Sequence, residues 1–161
     1  LRLLAFEEVR VATETDRVAQ LEFEVDDQTP EDLAIALDRL RAHPSVLDAV
    51  QTPAFGKKGR IAAHIRILAD PGDLENVVEA CFTETTTLGV RHQVLERTKL
   101  RRSQRSVQTA GRNVRVKVAR RPRSASAKAE ADDLLNLTGG RLERERLRRS
   151  AESAALDEDD E

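Results

Sequence analysis

Residues 18–40 read "VAQLEFEVDDQTPEDLAIALDRL", and the change of period inside this stretch decides the fold class. Ala19, Leu21, Phe23 and Val25 alternate with Gln20, Glu22 and Glu24, the two-residue period of a half-buried strand. The alternation stops at Asp26 and Asp27. Thr29 then has the side chain of an N-cap, Pro30 suits the first helical position, and Glu31 and Asp32 set acids where the helix dipole favours them. Leu33, Leu37 and Leu40 follow at helical spacing, and His43-Pro44 ends the run. A strand therefore feeds directly into an amphipathic helix.

Working outward, "VLDAV" (46–50) and "RIAAHIRIL" (60–68) read as two further strands, the latter with Ile61, Ala63, Ile65 and Ile67 on one side. Between them "QTPAFGKKG" reads as a loop. Asp70-Pro71-Gly72 turns the chain into a second helix with a stripe of Leu74, Val77, Val78, Cys81 and Phe82. A long strand follows over about 88–100, and "AGRN" (110–113) makes a hairpin of "RSVQT" and "VRVKV". The order strand, helix, strand, strand, helix, strand predicts an α+β fold, a ferredoxin-like sandwich extended by a β-hairpin. The expected domain runs over 18–120, after a segment 1–17 that reads as the end of a preceding, missing N-terminal domain and a linker. Residues 121–128, rich in Pro, Ser and Ala, read as a linker. Residues 129–156 read as two C-terminal helices broken near Gly139-Gly140, the second loosely docked, and 157–161, "DEDDE", as an acidic tail.

Composition narrows the function. With 161 residues, 39% of them hydrophobic, there is material for one domain and a peripheral segment. There is no Trp or Tyr and only four Phe, so base stacking on aromatic platforms has almost nothing to work with and nucleic acid is a disfavoured partner. The single cysteine, Cys81, leaves no internal disulfide and no cysteine-built zinc site, and it suits a reducing cytoplasm. No apolar run reaches membrane-spanning length and no signal peptide is read at the start, so the expected location is cytoplasmic. The net charge is only -2, yet the charge is segregated: 91–123 holds twelve Lys/Arg and one acid, whereas 1–50 holds twelve acids and five Lys/Arg. Such asymmetry suits an anionic ligand, docking of unlike surfaces, or a solvated basic hairpin.

Three groups of side chains could carry chemistry. "GKKGR" (56–60) gathers Lys57, Lys58 and Arg60 on a piece of backbone made pliable by two glycines, which suits phosphate oxygens and equally suits a solvated turn. "ETTTLGVR" (84–91) offers the hydroxyls of Thr85, Thr86 and Thr87 beside Arg91. Asp26 and Asp27 could hold Mg²⁺ or Mn²⁺ shared with phosphate, or serve as turn acids before a capped helix. By strand parity Arg91 and Arg97 share one face and Arg115 and Lys117 another; if those faces coincide, they form a cationic floor. A charge-assisted hydrogen bond contributes roughly 1.5–3 kcal/mol and micromolar binding needs about 8, so three to five cations suffice. His43, His64 and His92 have no ligand spacing among them, which argues against a dedicated nickel or zinc site.

Taken together, "EVDDQTPE" (24–31), "TPAFGKKGR" (52–60), "TETTTLGVR" (83–91), "ERTKLRR" (96–102) and "GRNVRVKV" (111–118) resemble the C-terminal half of the LarC family of nickel-insertion proteins. The resemblance implies the CTP-binding part of a CTP-dependent cyclometallase. In that family nickel, the substrate metal, enters pyridinium-3,5-bisthiocarboxylic acid mononucleotide to form the nickel-pincer nucleotide, while CTP is cleaved to CMP and pyrophosphate. Carried over, Lys57, Lys58 and Arg60 would hold the triphosphate, Thr85, Thr86, Thr87 and Arg91 would complete the pocket, and Asp26 and Asp27 would position Mg²⁺ or Mn²⁺. Arg97 and Lys117 would be peripheral cations. A degenerate binding or assembly scaffold without turnover is the alternative, and a homo-oligomer is expected. Where the family pattern has Asn before the Asp pair this chain has Val25, and Ile61-Ala62 stand where it has Pro-Gly.

Overall fold

A computed structural model describes residues 13–135 and 139–157. They form two compact units: Thr15–Arg97, and a second that takes the described residues on either side of it. Both are built on antiparallel sheets, and the second ends in a helix, so the class is α+β.

The first unit follows the period change closely. β1 (Thr13–Val25) buries Ala19, Leu21, Phe23 and Val25, and α1 (Pro30–Ala42) begins where the Thr29 hydroxyl accepts from the Asp32 amide at 3.3 Å. α1 turns Leu33, Leu37 and Leu40 onto the sheet and stops at His43, whose amide still reaches Leu40 O at 3.2 Å. β2 (Val46–Phe55), β3 (Ile61–Ala69) and β4 (Arg91–Leu100) complete a sheet ordered β2-β3-β1-β4. α2 (Leu74–Glu84) lies between β3 and β4 in the chain and contributes Val77 and Cys81 to the core.

Four expectations for this unit are corrected. "QTPAF" is strand rather than loop: β2 continues to Phe55 with Pro53 opposite Ala63. β2 is an edge strand, so a residue with no N–H can sit there with its ring nitrogen turned away from β3. Ile61 shares the parity of Ile65 and Ile67 but is 71% exposed, because it lies beyond the helices' cover; Phe82, expected in the core stripe, is 47% exposed. The strand expected from about 88 begins at Arg91.

The second unit departs further. β5 (Arg102–Thr109), β6 (Arg112–Arg121) and β7 (Ser124–Ala129) form a separate three-stranded sheet, not a two-stranded extension of the first. The hairpin turn is tight: Ala110 and Gly111 both have positive φ, 49° and 72°, the handedness that matches strand twist. β7 occupies most of the stretch read as the 121–128 linker, and its alternating Ser and Ala pass for a linker because its apolar positions carry nothing larger than alanine. The division between the two units, at Arg97 and Thr98, falls inside the expected 18–120 domain. After β7 comes a 3-10 turn, Ala131–Leu134, where the first C-terminal helix was expected; 136–138 and 158–161 lie outside the described residues. α3 (Gly140–Asp157) is firmly seated: Leu147, Ala151 and Ala155 are buried against Val107, Val114, Val116 and Val118. Its alanines let helix and sheet approach closely, so a helix with a polar surround still has a core face.

Candidate functional site

The C-terminal end of β1 is where the first unit collects its polar groups. Val25 is the last core residue, and the chain then leaves the sheet as Asp26-Asp27-Gln28 before the Thr29 cap. The β2–β3 turn brings Arg60 to this point, with Arg60 Nη1 3.4 Å from Asp26 Oδ2. The turn is a 3-10 loop at Lys57–Gly59, closed by the Gly56 amide on Arg60 O at 2.8 Å. Lys58 and Gly59 are consecutive left-handed residues, φ 59° and 71°; glycine adopts this at no cost, but a lysine adopts it only under local constraint. Lys57 and Lys58 are exposed and have no ion pair among the described residues.

The α2–β4 loop reaches the same point. The Thr86 hydroxyl donates to Asp27 Oδ1 in a short hydrogen bond. Gln28, which the sequence reading passed over, ties the corner together: its Nε2 donates to Asp32 Oδ2 (2.6 Å) and to Glu84 O (3.2 Å), and its Oε1 accepts from the Thr86 amide (3.4 Å). A neutral amide carries no charge signal, so only its position beside the Asp pair could have flagged it. Thr85 and Thr87 do not act as open donors. Thr85 is buried and its hydroxyl donates to Cys81 O at 2.7 Å, closing α2, while the Thr87 hydroxyl donates to Gly89 O at 3.1 Å.

Arg91 opens β4 on the sheet face away from the helices. It grips Glu24 with two hydrogen bonds, 3.0 and 2.7 Å, and these hold the Glu24 carboxyl below its ordinary range while raising the guanidinium further. His64 Nδ1 lies 3.0 Å from the same carboxylate, and Arg66 pairs with Glu22 at 3.2 Å. A hollow of about 240 Å³ lies on this face among Gln20, Glu22, Arg91, His92 and Gln93. On the other face a hollow of about 290 Å³ opens between the β1 end, the first turn of α1 and the outer ends of β2 and β3.

Arg97 does not join this group. Arg97 binds Asp16 (2.8 and 3.0 Å), eight residues before Glu24 and thus about 25 Å further back along β1 at roughly 3.3 Å per residue. Lys117 belongs to the other unit, where its ammonium meets Glu130, and Arg115 beside it is held by Asp133 at 2.7 Å. The imagined cationic floor is therefore two faces of two different sheets, each with its own counter-charges. No group of three or more His, Cys, Asp or Glu among the described residues could hold a metal, and burial pushes the Cys81 thiol up to about 11, leaving it protonated at neutral pH. No helix among the described residues is long and apolar enough to cross a membrane.

Comparison with known proteins gives this corner a context. A family model described as nickel insertion protein matches residues 1–141. A putative nickel insertion protein of Rhodopirellula baltica is 38% identical over 109 residues, 68% of this chain and 27% of that protein. The pyridinium-3,5-bisthiocarboxylic acid mononucleotide nickel insertion protein of Lactiplantibacillus plantarum is 33% identical over 124 residues, 74% of this chain and 29% of that protein. The chain thus spans less than a third of the length of these relatives. Among solved structures, the apo form of LarC2, the C-terminal domain of a cyclometallase involved in synthesis of the NPN cofactor of lactate racemase, is 30% identical with a TM-score of 0.73, covering 92% of this chain and all of that one.

Proposed function

Because the chain belongs to the nickel insertion protein family, we propose that it is the CTP-binding part of a CTP-dependent cyclometallase, with nickel and a pyridinium mononucleotide as substrates of the whole protein. The observation that carries this is the meeting of the Lys57–Arg60 turn with the Asp26-Asp27 pair at the end of β1. Lys57 and Lys58 offer ammonium donors with no competing carboxylate among the described residues, and Arg60 can exchange Asp26 for a phosphate oxygen. Two adjacent carboxylates suit Mg²⁺ or Mn²⁺ that completes its shell with phosphate oxygens and water, and do not suit a resident all-protein site. The ion bound with the triphosphate would supply charge neutralisation at the phosphorus that is attacked. Thr86 orients Asp27, and Arg91, anchored on Glu24, fixes the β1 end from the open face. Thr85 and Thr87 shape the loop through its backbone rather than by touching ligand.

The same reading takes the first unit as a ferredoxin-like sandwich, supported by the order β2-β3-β1-β4 with α1 and α2 as its connections. It includes a cytoplasmic location and a homo-oligomer, the latter supported by exposed Leu47 and Phe55 on the edge strand β2. A second reading, a binding or assembly scaffold without turnover, is favoured by one feature: Val25, where the family pattern has Asn, points into the core and gives the metal side no polar group.

Titration calorimetry with CTP and Mn²⁺ separates these. The expected result is binding weakened at least about tenfold in Lys57→Ala and measurably in Arg91→Ala; equal affinity in both variants and the parent overturns the nucleotide reading. CTP binding without CMP release, in the presence of nickel and the pyridinium substrate, selects the scaffold.

A further inference from the structure

The second unit carries a hollow of its own, about 300 Å³, between the turn of the β5–β6 hairpin and the middle of α3. Glu143, Arg146, Leu147 and Ser150 stand at i, i+3, i+4 and i+7 and so form one stripe of the helix, which lines the hollow together with Thr109, Ala110 and Arg112 of the hairpin. Leu147 is buried and gives an apolar floor, to which Ala110 adds a methyl from its left-handed turn position. The Thr109 and Ser150 hydroxyls bond to each other at 2.7 Å and tie the two walls. The arginines are left unanswered. Neither the Arg112 nor the Arg146 side chain has a hydrogen bond or ion pair among the described residues, although Glu143 precedes Arg146 by three residues, a spacing at which helical ion pairs form. The Glu143 carboxylate instead turns back over Gly139, at the start of the helix. Arg148 and Arg149, further along the same helix, both pair with Glu145.

We propose that this hollow binds a small monocarboxylate whose apolar body is about one ring in size, with the carboxylate taken by Arg112 and Arg146 and the body laid on Leu147 and Ala110. No residue of the hollow belongs to the corner at Asp26 and Arg60, so binding here stands or falls apart from the nucleotide reading. A guanidinium presents a planar fork that meets both oxygens of a carboxylate, and two of them meet it from the two walls. The volume lies at the lower limit of small-molecule sites, which admits a single ring and excludes a nucleotide. Two guanidiniums and one carboxylate leave one positive charge in excess, which balances a monoanion. A phosphate monoester brings about two negative charges and sets the second against Glu143. The end of a peptide offers the same carboxylate and apolar body but needs room for a chain as well.

The test follows the backbone amide resonances of the parent chain during titration with benzoate, acetate, phenyl phosphate and an acetylated tripeptide ending in phenylalanine. Benzoate is expected to shift Ala110, Leu147 and Ser150 along a saturable curve, with acetate weaker by about tenfold or more because it has no ring to bury. Arg112→Ala and Arg146→Ala should each weaken benzoate about tenfold, one lost charge-assisted hydrogen bond, while Arg148→Ala and Lys57→Ala leave it unchanged. Both arginines of the hollow are exposed, so removing either leaves the core intact. Shifts that spread over the chain without saturating, acetate equal to benzoate, or an Arg148→Ala loss as large as that of Arg146→Ala overturns the proposal. So does phenyl phosphate or the tripeptide binding more tightly than benzoate.

Discussion

The two units solve the problem of a core in different ways. The first fills the space between sheet and helices with Phe23, Leu21, Leu40, Ile65 and Ile67, all fully buried, with alanines such as Ala19 and Ala69 between them. The second uses four valines, Ala129 and the alanine face of α3, with Leu134 and Leu147 as the larger buried members among the described residues. The charges differ in the opposite sense. The long basic run of 91–123 dominates the chain's charge pattern, but in the second unit Arg115 and Lys117 are answered by Asp133 and Glu130. The short run at 56–60 leaves two lysines without a partner among the described residues. A count of cations therefore does not locate a site by itself: within the same basic run Arg115 and Lys117 meet acids, while Arg102 and Arg112, like Lys57 and Lys58, have no ion pair among the described residues.

The contrast in cores should appear first and most strongly in stability. Phe23→Ala removes the largest fully buried side chain and is expected to cost about 3–5 kcal/mol, read as lost hydrogen-exchange protection of the β1 and β3 amides. A loss below about 1 kcal/mol would break the picture of a core dominated by large side chains. Ala151→Leu tests the other design by overfilling a site where helix and sheet are in close contact, and about 1–3 kcal/mol should be lost from β6 and α3. A neutral or stabilising result would mean that unit is loosely packed. The smallest effect concerns charge. The Arg115 guanidinium and backbone amide hold Asp133 down at about 2. Because the unfolded carboxyl titrates near about 3.9, this contribution to stability is complete above that pH and is lost as pH falls towards about 2. The Arg115 amide resonance should follow this titration, and in Asp133→Asn it should not.

Much of the first unit could be read from residues 18–40, since strand and helix periods, cap and first-turn acids all agree there. Pro53 was misread because a proline argues against a strand unless the strand lies at an edge, and edge position is a property of the sheet rather than of the local sequence. β7 was missed because Ser and Ala mark a linker and a closely packed strand alike. The parity argument correctly set Arg91 and Arg97 on one face, but parity does not say which sheet a strand joins, so Arg115 and Lys117 were combined with them in error. At the candidate site the cations and the Asp pair were visible by charge. The internal engagement of Thr85 and Thr87 was not, nor was Gln28, whose hydrogen bonds to Glu84 and Thr86 come only from the neighbours that tertiary structure gives it.

Pro53 also governs how the molecule can associate with others. On the outer rim of β2 Arg41 Nε already donates to Ala49 O at 3.1 Å, and at Pro53 there is no hydrogen to offer and a ring stands in the way. A ladder added along this rim would meet the arginine cap at Ala49 and the proline at 53, so the edge obstructs the uninterrupted stacking that fibrils require.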